Sequence, residues 1–363
     1  MLAVAQRNRR IKVLIVDDSA IVRKILSEVI AAEPDMEVVG TAPDASIALD
    51  KIVSLKPDVL TLDIEMPGMD GLTFLKLMMQ LRPVPTIIVS SQGQASCVAT
   101  FEALRCGAVD VIAKPAGPHS VADLRQILAA RIRGASEAKP RAAYDSSTDN
   151  LRLTKPQALP CNAPDPHAVI AIGASTGGTV AIQEILQRLS ADMPPMVITQ
   201  HIPASFSQAF ANRLNKLCGL EVREAVDGDK LHRGLALVAP GDYHLLLRRA
   251  SNGYSVTVQQ GPQVCYQRPS VDVMFASVAR AAGSHGVGVL LTGMGTDGAK
   301  GMLALKQAGA ETIAQDESSC VVYGMPREAA KLDAVRTIAP LSHIAAILTQ
   351  TVASRKVMQA KAV

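Results

Sequence analysis

The sequence lacks the charge excess and the long apolar segments that would assign it quickly to a class. Its 37 basic and 33 acidic residues leave a formal net charge of +4, without the clustered Lys and Arg of proteins that bind nucleic acid or membrane surfaces. No apolar run approaches the roughly 20 residues that a membrane helix requires. The segment Met1 to Arg10 places its arginines after its apolar residues, the reverse of a signal peptide. We therefore expect no nucleic-acid partner, no direct membrane insertion and no export.

The sequence also lacks paired cysteines. Its six cysteines lie far apart, without the spacing of a zinc site or of a dithiol redox motif. We expect reduced cysteines, as is usual for a protein of the cytoplasm.

The length and the periodicity indicate two α/β domains. A chain of 363 residues exceeds what one hydrophobic core usually organises. From residue 11 to 130, short apolar runs alternate with segments of helical period, as a five-stranded, doubly wound parallel sheet requires. The predicted strands of this domain read IKVLIV, EVVG, VLTLD, TIIVS and DVIAK.

A linker and a second, larger α/β domain follow. Periodicity is lost over residues 131–165, where prolines join Ser, Thr, Asn and Asp. It resumes over residues 166–352 with further strands and helices, which predicts another doubly wound, mostly parallel sheet. The segment from Leu235 to Gln259 contains the turn sequence Ala-Ser-Asn-Gly and predicts a hairpin, so we expect this sheet to be mixed.

Charged or polar side chains stand at the ends of several predicted strands in the first domain. Asp17 and Asp18 end the first strand, Asp63 the third, Ser90 the fourth and Lys114 the fifth. The carboxyl ends of parallel strands share one edge of the sheet, where ligands of open α/β sheets bind. Each aspartate alone is equally compatible with a helix cap or a polar turn. The set as a whole favours a site.

The three aspartates would repel one another unless they bound a cation. Mg²⁺ suits them because it prefers oxygen ligands. We predict a metal held by Asp17, Asp18, Asp63 and a backbone carbonyl near Glu65, with Asp63 as the phosphoryl acceptor and Lys114 offsetting phosphoryl charge.

These segments resemble response-regulator receiver domains over residues 11 to 130, through VDDS, LDIEMPGMDG, VSS and AKP. The resemblance implies that Asp63 is phosphorylated by a histidine kinase. It also implies that Ser90 and Lys114 sense the phosphoryl group.

A tight strand-to-helix turn carries the first candidate of the second domain. The strand ending at Ala174 runs into the G-x-S-x-G sequence around Ser175. Such a turn projects the serine hydroxyl and places the next amide, that of Thr176, at a helix N-terminus where an oxyanion is favoured. A helix cap or a phosphate-binding glycine loop would give the same pattern.

A serine nucleophile needs a histidine base, and the base needs a carboxylate. His201 directly follows the strand Met196 to Thr199 and should lie on the same edge as Ser175. The other six histidines fall at less suitable places. Asp297 lies in the turn after the strand Val287 to Leu291, again on that edge.

The turn around Asp297 also supports a rival interpretation. Gly293 to Gly298 reads G-x-G-x-x-G, and Asp316 follows some twenty residues later, as in a dinucleotide-binding fingerprint. However, Asp297 would point its carboxylate toward the pyrophosphate, which is electrostatically unfavourable.

Five segments together resemble the catalytic domain of the chemotaxis protein-glutamate methylesterases, over about residues 165 to 350. They read GASTGGT, TQHIP, RPSVDVMF, LLTGMGTDGAKG and YGMPREAA. The resemblance implies that Ser175 is the nucleophile, His201 the base and Asp297 its partner, with the amides of Thr176 and Met294 as oxyanion donors. It implies no cofactor for ester hydrolysis.

The resemblance implies a function in chemosensory adaptation. The expected reaction is phosphorylation-activated hydrolysis of glutamate γ-methyl esters on the cytoplasmic domains of chemoreceptors, with deamidation of receptor glutamines in some members. Two other classes stay open at this stage: a nucleotide-dependent enzyme that uses Gly293 to Gly298, and a non-catalytic signalling adaptor.

Overall fold

The computed structural model describes residues 9–91, 93–114, 120–138, 161 and 165–360. Within these ranges, the structure describes only the backbone of residues 94, 95, 120–123, 126 and 354–360. The chain divides into two compact units, Met1–Ser147 and Thr148–Val363.

The first unit has the predicted five-stranded parallel sheet, in the order β2-β1-β3-β4-β5. Its strands are β1 (Ile11–Val16), β2 (Met36–Ala42), β3 (Val59–Asp63), β4 (Thr86–Ser90) and β5 (Asp110–Ala113). Its helices are α1 (Ala20–Ala31), α2 (Ala45–Leu55), α3 (Gly71–Leu81), α4 (Gln94–Arg105) and α5 (Ser120–Glu137). Helix α5 therefore continues past residue 130, where the sequence placed the start of the linker. Of that predicted linker, residues 139–160 and 162–164 lie outside the described residues.

Polar caps fix where three helices of this unit begin. The side chain of Ser19 accepts from the amide of Val22 at the start of α1, and Asp44 and Asp70 accept equivalent bonds at the starts of α2 and α3. Each bond satisfies one of the amides that a helix N-terminus leaves without a partner. These helices pack on a sheet whose central strands are buried along their length.

The second unit is built on a seven-stranded sheet in the order β14-β13-β12-β6-β7-β9-β8, and every strand pair is parallel. Its strands are β6 (Val169–Ala174), β7 (Met196–Gln200), β8 (Glu221–Glu224), β9 (Leu235–Val238), β12 (Gly286–Leu290), β13 (Glu311–Gln315) and β14 (Thr337–Ala339). Its helices are α6 (Gly178–Leu186), α7 (Ala204–Leu217), α8 (Val271–Ala282), α9 (Ala299–Gln307), α10 (Met325–Lys331) and α11 (Leu341–Ala360). The predicted α/β class is confirmed for both units.

The expectation of a mixed sheet is wrong. The hairpin exists, but its strands β10 (His244–Ala250) and β11 (Gly253–Gln259) form a separate two-stranded antiparallel sheet. Only β9, at the start of the predicted hairpin segment, joins the main sheet. Turn sequences determine local antiparallel pairing, whereas the partner of a strand in a larger sheet depends on packing between distant segments.

Strands β6, β7, β9 and β12 are buried along their whole length, as expected for a parallel sheet covered on both faces. Helix α8 packs on this sheet with its apolar face, which includes Met274, Phe275 and Val278. Across the described part of the chain, no helix combines the length and the apolar character needed to cross a membrane.

Candidate active site

Ser175 occupies a tight turn between β6 and α6. Its amide donates to the carbonyl of Thr292 over 3.0 Å, and its carbonyl accepts from the amide of Gly178 over 2.7 Å. Gly177 has a φ of +77°, and a Cβ there would lie 2.6 Å from Val321 Cγ2. The turn therefore needs glycine, because other residues rarely adopt this conformation and would also collide. These hydrogen bonds and the need for glycine at position 177 explain why the G-x-S-x-G sequence forms a tight turn at Ser175.

His201 follows β7 at the same edge of the sheet as Ser175. Strands β6 and β7 pair so that Ala174 lies opposite Gln200, and the amide of His201 donates to the carbonyl of Ala174 over 3.1 Å. The two candidate residues thus directly follow two neighbouring paired positions. The pairing of β6 with β7 therefore brings Ser175 and His201 to the same carboxyl edge of the sheet, as predicted.

Asp297 contacts His201, from which it is separated by 96 residues. His201 Nε2 lies 2.8 Å from Asp297 Oδ2, and both side chains are almost completely buried. A carboxylate oxygen only accepts, so Nε2 carries the proton of this bond. A carboxylate in this position fixes the tautomer of an imidazole and stabilises its cation.

The N-terminus of α8 holds the Asp297 carboxylate. Oδ2 also accepts from the amide of Val271 at 2.7 Å, and Oδ1 accepts from Ser270 Oγ at 2.8 Å. The amides of Asp272 and Gly298 donate to Oδ1 at 3.0 and 3.1 Å. Burial disfavours the charged carboxylate, but the hydrogen bonds from His201 and from these donors outweigh that effect and lower the pKa of Asp297.

The turn that carries Met294 lies against the serine. A Cβ added to Gly293 would lie 2.7 Å from Ser175 Cβ and 3.1 Å from Ser175 N. The amide of Met294 comes directly after this close contact, and the amide of Thr176 directly after the serine itself. The two predicted oxyanion donors thus belong to two turns in contact, and their role stays a prediction.

Three buried side chains that the sequence did not single out brace these turns. Thr292 Oγ1 donates to the carbonyl of Thr176 at 3.0 Å, while Gln200 Nε2 donates to the carbonyl of Ser175 at 2.8 Å and to that of His201 at 3.2 Å. Gln315 Oε1 accepts from the amide of Thr292 at 2.9 Å. Each is a polar residue at, or just after, the end of a buried strand. That position in the sequence could have indicated their role.

The contacts of α9 weigh against the dinucleotide interpretation. Of the amides around its N-terminus, that of Gly298 donates to Asp297, and that of Gly301 donates to Asp272 Oδ1 at 2.7 Å. A pyrophosphate bound at this helix would need such amides. Asp316, the acidic residue that completes the fingerprint, instead accepts from Ser318 and Ser319 in its own turn.

The remaining histidines take other positions. His285 Nδ1 contacts Asp165 Oδ2 at 2.6 Å and packs edge-on against His167, while His232 is exposed. His244 is buried in β10, and His343 lies in α11. His119 lies outside the described residues.

The predicted phosphorylation site of the first unit also comes together. Asp17, Asp18 and Asp63 place carboxylate oxygens within 4.8 Å of one another, with Asp17 and Asp63 buried and Asp18 exposed. Lys114 Nζ lies 2.7 Å from Asp63 Oδ2 and 3.2 Å from Asp17 Oδ2. Burial raises the pKa values of Asp17 and Asp63 despite Lys114. Burial opposes the charge of Lys114 as well, yet the two carboxylates raise its pKa.

The predicted neighbours of this cluster are in place around it. Ser90 Oγ lies 2.7 Å from Ser96 Oγ and accepts from Thr100 Oγ1 at 3.0 Å. The amide of Glu65 donates to Asp63 Oδ1 at 3.1 Å, and its carboxylate accepts from Ser91. Closely spaced carboxylate oxygens are ligands that a hard divalent cation prefers, so these residues fit Mg²⁺.

Comparison with known proteins shows which family this chain belongs to. The CheB methylesterase family matches residues 170–348, and the response regulator receiver domain family matches residues 13–127. A protein-glutamate methylesterase/protein-glutamine glutaminase of Syntrophus aciditrophicus is 53% identical over 336 residues, which cover 93% of this chain and 97% of the relative. The chain belongs to the CheB methylesterase family. The resemblance inferred from the motifs is thereby confirmed.

Two further proteins support this membership. A relative of the same name from Pseudomonas aeruginosa is 48% identical over 345 residues, covering 95% of this chain and 98% of its own length. The crystal structure of the Thermotoga maritima CheB methylesterase catalytic domain matches with a TM-score of 0.50 and 34% identity. It covers 51% of this chain and 98% of that domain. The Syntrophus and Pseudomonas relatives each match more than 90% of this chain, so the likeness extends over both units.

Proposed function

We propose that this chain is a phosphorylation-activated protein-glutamate methylesterase, which hydrolyses glutamate γ-methyl esters on the cytoplasmic domains of chemoreceptors. The observation that carries the proposal is the buried contact between His201 and Asp297, at the sheet edge where Ser175 occupies its tight turn. The names of the relatives supply the substrate class.

The reaction begins with attack of Ser175 Oγ on the ester carbonyl. Because Nε2 of His201 faces Asp297, we assign Nδ1 as the atom that accepts the serine proton. The amides of Thr176 and Met294 stabilise the oxyanion of the tetrahedral intermediate. The intermediate collapses to an acyl-enzyme, and His201 returns the proton to the departing methoxide, which leaves as methanol.

Water completes the cycle. His201 takes a proton from a water molecule as that water attacks the acyl-enzyme, and it then protonates Ser175 Oγ as the ester bond to the serine breaks. The products are glutamate and a free enzyme. Deamidation of a receptor glutamine follows the same steps, with ammonia as the leaving group instead of methanol.

Control of the enzyme is assigned to the first unit. Asp63 accepts a phosphoryl group from a histidine kinase, and Lys114 and Ser90 contact that group. Asp17, Asp18, Asp63 and the backbone carbonyl near Glu65 would hold Mg²⁺, which offsets the charge of the phosphoryl oxygens during transfer. With a histidine kinase and the cytoplasmic domains of chemoreceptors as its partners, the protein would act in the cytoplasm.

Methanol release from methylated receptor tests the proposal. The full chain should release methanol, and a small phosphodonor with Mg²⁺ should stimulate release in the wild type but not in Asp63→Asn. Ser175→Ala should abolish release in both conditions. Full activity of Ser175→Ala would reject the esterase assignment, and undiminished stimulation of Asp63→Asn would reject the proposed control.

Covalent labelling separates an enzyme from a non-catalytic adaptor. An ester-like serine reagent should label Ser175 in the wild type, and labelling should be lost in Ser175→Ala and greatly slowed in His201→Ala. An adaptor would show no labelling that depends on His201, because it would have no activated hydroxyl.

A further inference from the structure

A buried series of hydrogen bonds continues behind Asp297, away from His201. Ser270 Oγ donates to Asp297 Oδ1 at 2.8 Å, and the amide of Ser270 donates to His244 Nδ1 at 3.2 Å. His244 Nε2 in turn lies 2.9 Å from the carbonyl oxygen of Pro262. Ser270 is completely buried and His244 is 3% exposed. Neither residue takes part in the proton transfers of the proposed reaction.

The two contacts of His244 determine its tautomer. A carbonyl oxygen only accepts hydrogen bonds, so Nε2 carries a hydrogen and donates it to Pro262. The Ser270 amide only donates, so Nδ1 is the bare nitrogen that accepts it. The two bonds together require a neutral imidazole in the Nε2–H form.

The imidazole of His244 forms hydrogen bonds with both ends of one loop. Pro262 and Ser270 are the two ends of the segment 262–270, and both bond to His244. Arg268 braces this segment by donating to the carbonyl of Gly261 at 2.6 Å and to Asp242 Oδ1 at 2.6 Å. His244 thereby ties the start of α8 to strand β10.

Ser270 connects this loop to the carboxylate. Asp297 accepts from backbone amides of α8 and of its own turn, and these donors have fixed positions. Ser270 Oγ is the side-chain donor to Oδ1, on the opposite oxygen from the one that contacts His201. A donor on Oδ1 limits rotation of the carboxylate group and keeps Oδ2 directed at Nε2.

We propose that Ser270 and His244 are positioning residues for the His201–Asp297 pair, in which the neutral imidazole of His244 holds Ser270 so that its hydroxyl fixes the orientation of the Asp297 carboxylate. This inference rests on the proposed function of Ser175, His201 and Asp297. Asp242 and Arg268 pair with each other, and Ser270 links the His244 ring to Asp297 through its amide and its hydroxyl.

Three variants and a matched control test the inference in the full-length protein. Ser270→Ala removes only the hydroxyl, and His244→Leu removes both ring nitrogens. His244→Asn places an amide oxygen where Nδ1 accepts from Ser270 and should rescue the loss. Ser277→Ala is the control, because Ser277 is also buried and also ties α8 to β10, through the amide of Leu247, without contacting Asp297.

We expect Ser270→Ala and His244→Leu to lower kcat for methanol release by roughly 5- to 100-fold, the effect of losing one buried hydrogen bond to a charged group. KM should stay within about twofold, since both side chains are buried and are proposed to act only through Asp297. His244→Asn should recover most of the loss, and Ser277→Ala should keep kcat even if its melting temperature falls.

The pH profile supplies a readout that a purely structural role would not change. Without the Ser270 donor, the Asp297 carboxylate can turn away from Nε2 and stabilises the His201 imidazolium less. The acid limb of kcat/KM should therefore shift to lower pH in Ser270→Ala and stay in place in Ser277→Ala. Nitrogen-15 NMR of the imidazoles should detect the Nε2–H tautomer of His244 in the wild type.

Two outcomes separate this inference from the proposed function. If Ser175→Ala abolishes methanol release while folded Ser270→Ala and His244→Leu keep kcat within twofold, the inference is overturned and the esterase assignment stands. If Ser175→Ala leaves release unchanged, both are overturned. An NMR signal for the Nδ1–H tautomer or the doubly protonated ring of His244 would overturn the inference independently of activity.

Discussion

Asp63 and Asp297 are both almost fully buried, yet their surroundings shift their pKa values in opposite directions. Burial dominates at Asp63, where Lys114 compensates only in part and Asp17 adds repulsion. At Asp297, the hydrogen bonds from His201 and from the start of α8 outweigh burial. A bound cation would therefore stabilise the charged form of Asp63, whereas Asp297 is already stabilised as an anion.

The raised pKa of Asp63 predicts a pH-dependent cost in stability. A pKa of Asp63 that is higher in the folded than in the unfolded protein means that the folded protein binds the proton more tightly. Proton binding therefore stabilises the folded state fully below the ordinary pKa of 3.8, and this stabilisation is lost as pH rises through the folded-state pKa. In the absence of Mg²⁺, Asp63→Asn should therefore have a higher melting temperature than the wild type at neutral pH.

Calorimetry between pH 4 and 8 in the presence of a chelator measures this difference. The advantage of Asp63→Asn should grow as pH rises, while Asp50→Asn, a change at an exposed aspartate of α2, should follow the wild type. A melting temperature of Asp63→Asn below that of the wild type at pH 7 would contradict the argument.

Asp297→Asn should reduce kcat by about a thousandfold or more, as replacing the carboxylate of such a pair does in serine hydrolases. The NH2 group of the asparagine would face one of the hydrogen-bond donors that now bind the Asp297 carboxylate. The uncharged amide would also stabilise the His201 cation poorly. Steady-state methanol release measures the effect. Asp272→Asn, at the neighbouring buried carboxylate that accepts from Gly301, should retain most activity. Equal losses in the two variants would argue against a specific role for Asp297.

At the scale of elements, three neighbouring strands supply the site. Strands β12, β6 and β7 are adjacent and parallel, and the turns that follow them carry Asp297, Ser175 and His201. Helix α8 adds the donors to Asp297 from a different part of the chain. The site thus depends on how closely the turns after these strands pack together.

Gly178→Ala should disturb that packing. A Cβ at this position would lie 2.1 Å from Gln200 Oε1 and 2.5 Å from Ala174 Cβ. The displaced Gln200 could no longer brace the carbonyls of Ser175 and His201. We expect a loss of about 1–3 kcal/mol in the free energy of unfolding, as for other overpacked cores, and at least a tenfold loss of kcat.

Gly219→Ala is the matched control for this substitution. An added Cβ there meets its nearest atom, the carbonyl oxygen of Leu189, at an ordinary 3.8 Å. Its stability should be unchanged or slightly higher, because alanine restricts the unfolded chain. Denaturant unfolding and methanol release of both variants measure the comparison. Wild-type activity in Gly178→Ala would show that Gln200 tolerates displacement.

Periodicity and strand-end reasoning predicted most of the elements and the pairing of His201 with Asp297, although 96 residues separate them. Both residues follow buried parallel strands, and such strands bring their carboxyl ends to one edge. The separate hairpin sheet was not predictable in this way, because only packing decides whether β10 joins the main sheet. Ser270 was also missed, since it is a helix cap and does not follow a strand, so strand-end reasoning did not point to it.

The whole molecule combines two units with separate cores and separate chemistry. The carboxylates that fit Mg²⁺ belong to the first unit, and the candidate nucleophile belongs to the second. A ligand that binds only the folded form of one unit stabilises that unit by mass action.

Mg²⁺ should therefore raise the unfolding temperature of the first unit and leave that of the second unchanged. At a concentration 100 times the dissociation constant, the expected gain is about 2.7 kcal/mol. Calorimetry of the full chain, with fragments 9–138 and 161–363 to assign the transitions, measures it. Asp18→Asn should weaken the response, and an equal shift of both transitions would contradict a site confined to the first unit.

The strand order of the second unit also bears on how the protein opens. Strands β14 and β8 form the two margins of the sheet, whereas β12, β6 and β7 lie in its interior. Amide protons at the margins should exchange with deuterium fastest, because peripheral strands fray before interior ones. The residues that follow β6 and β7 would then stay assembled through the commonest fluctuations, and only global unfolding would dismantle them.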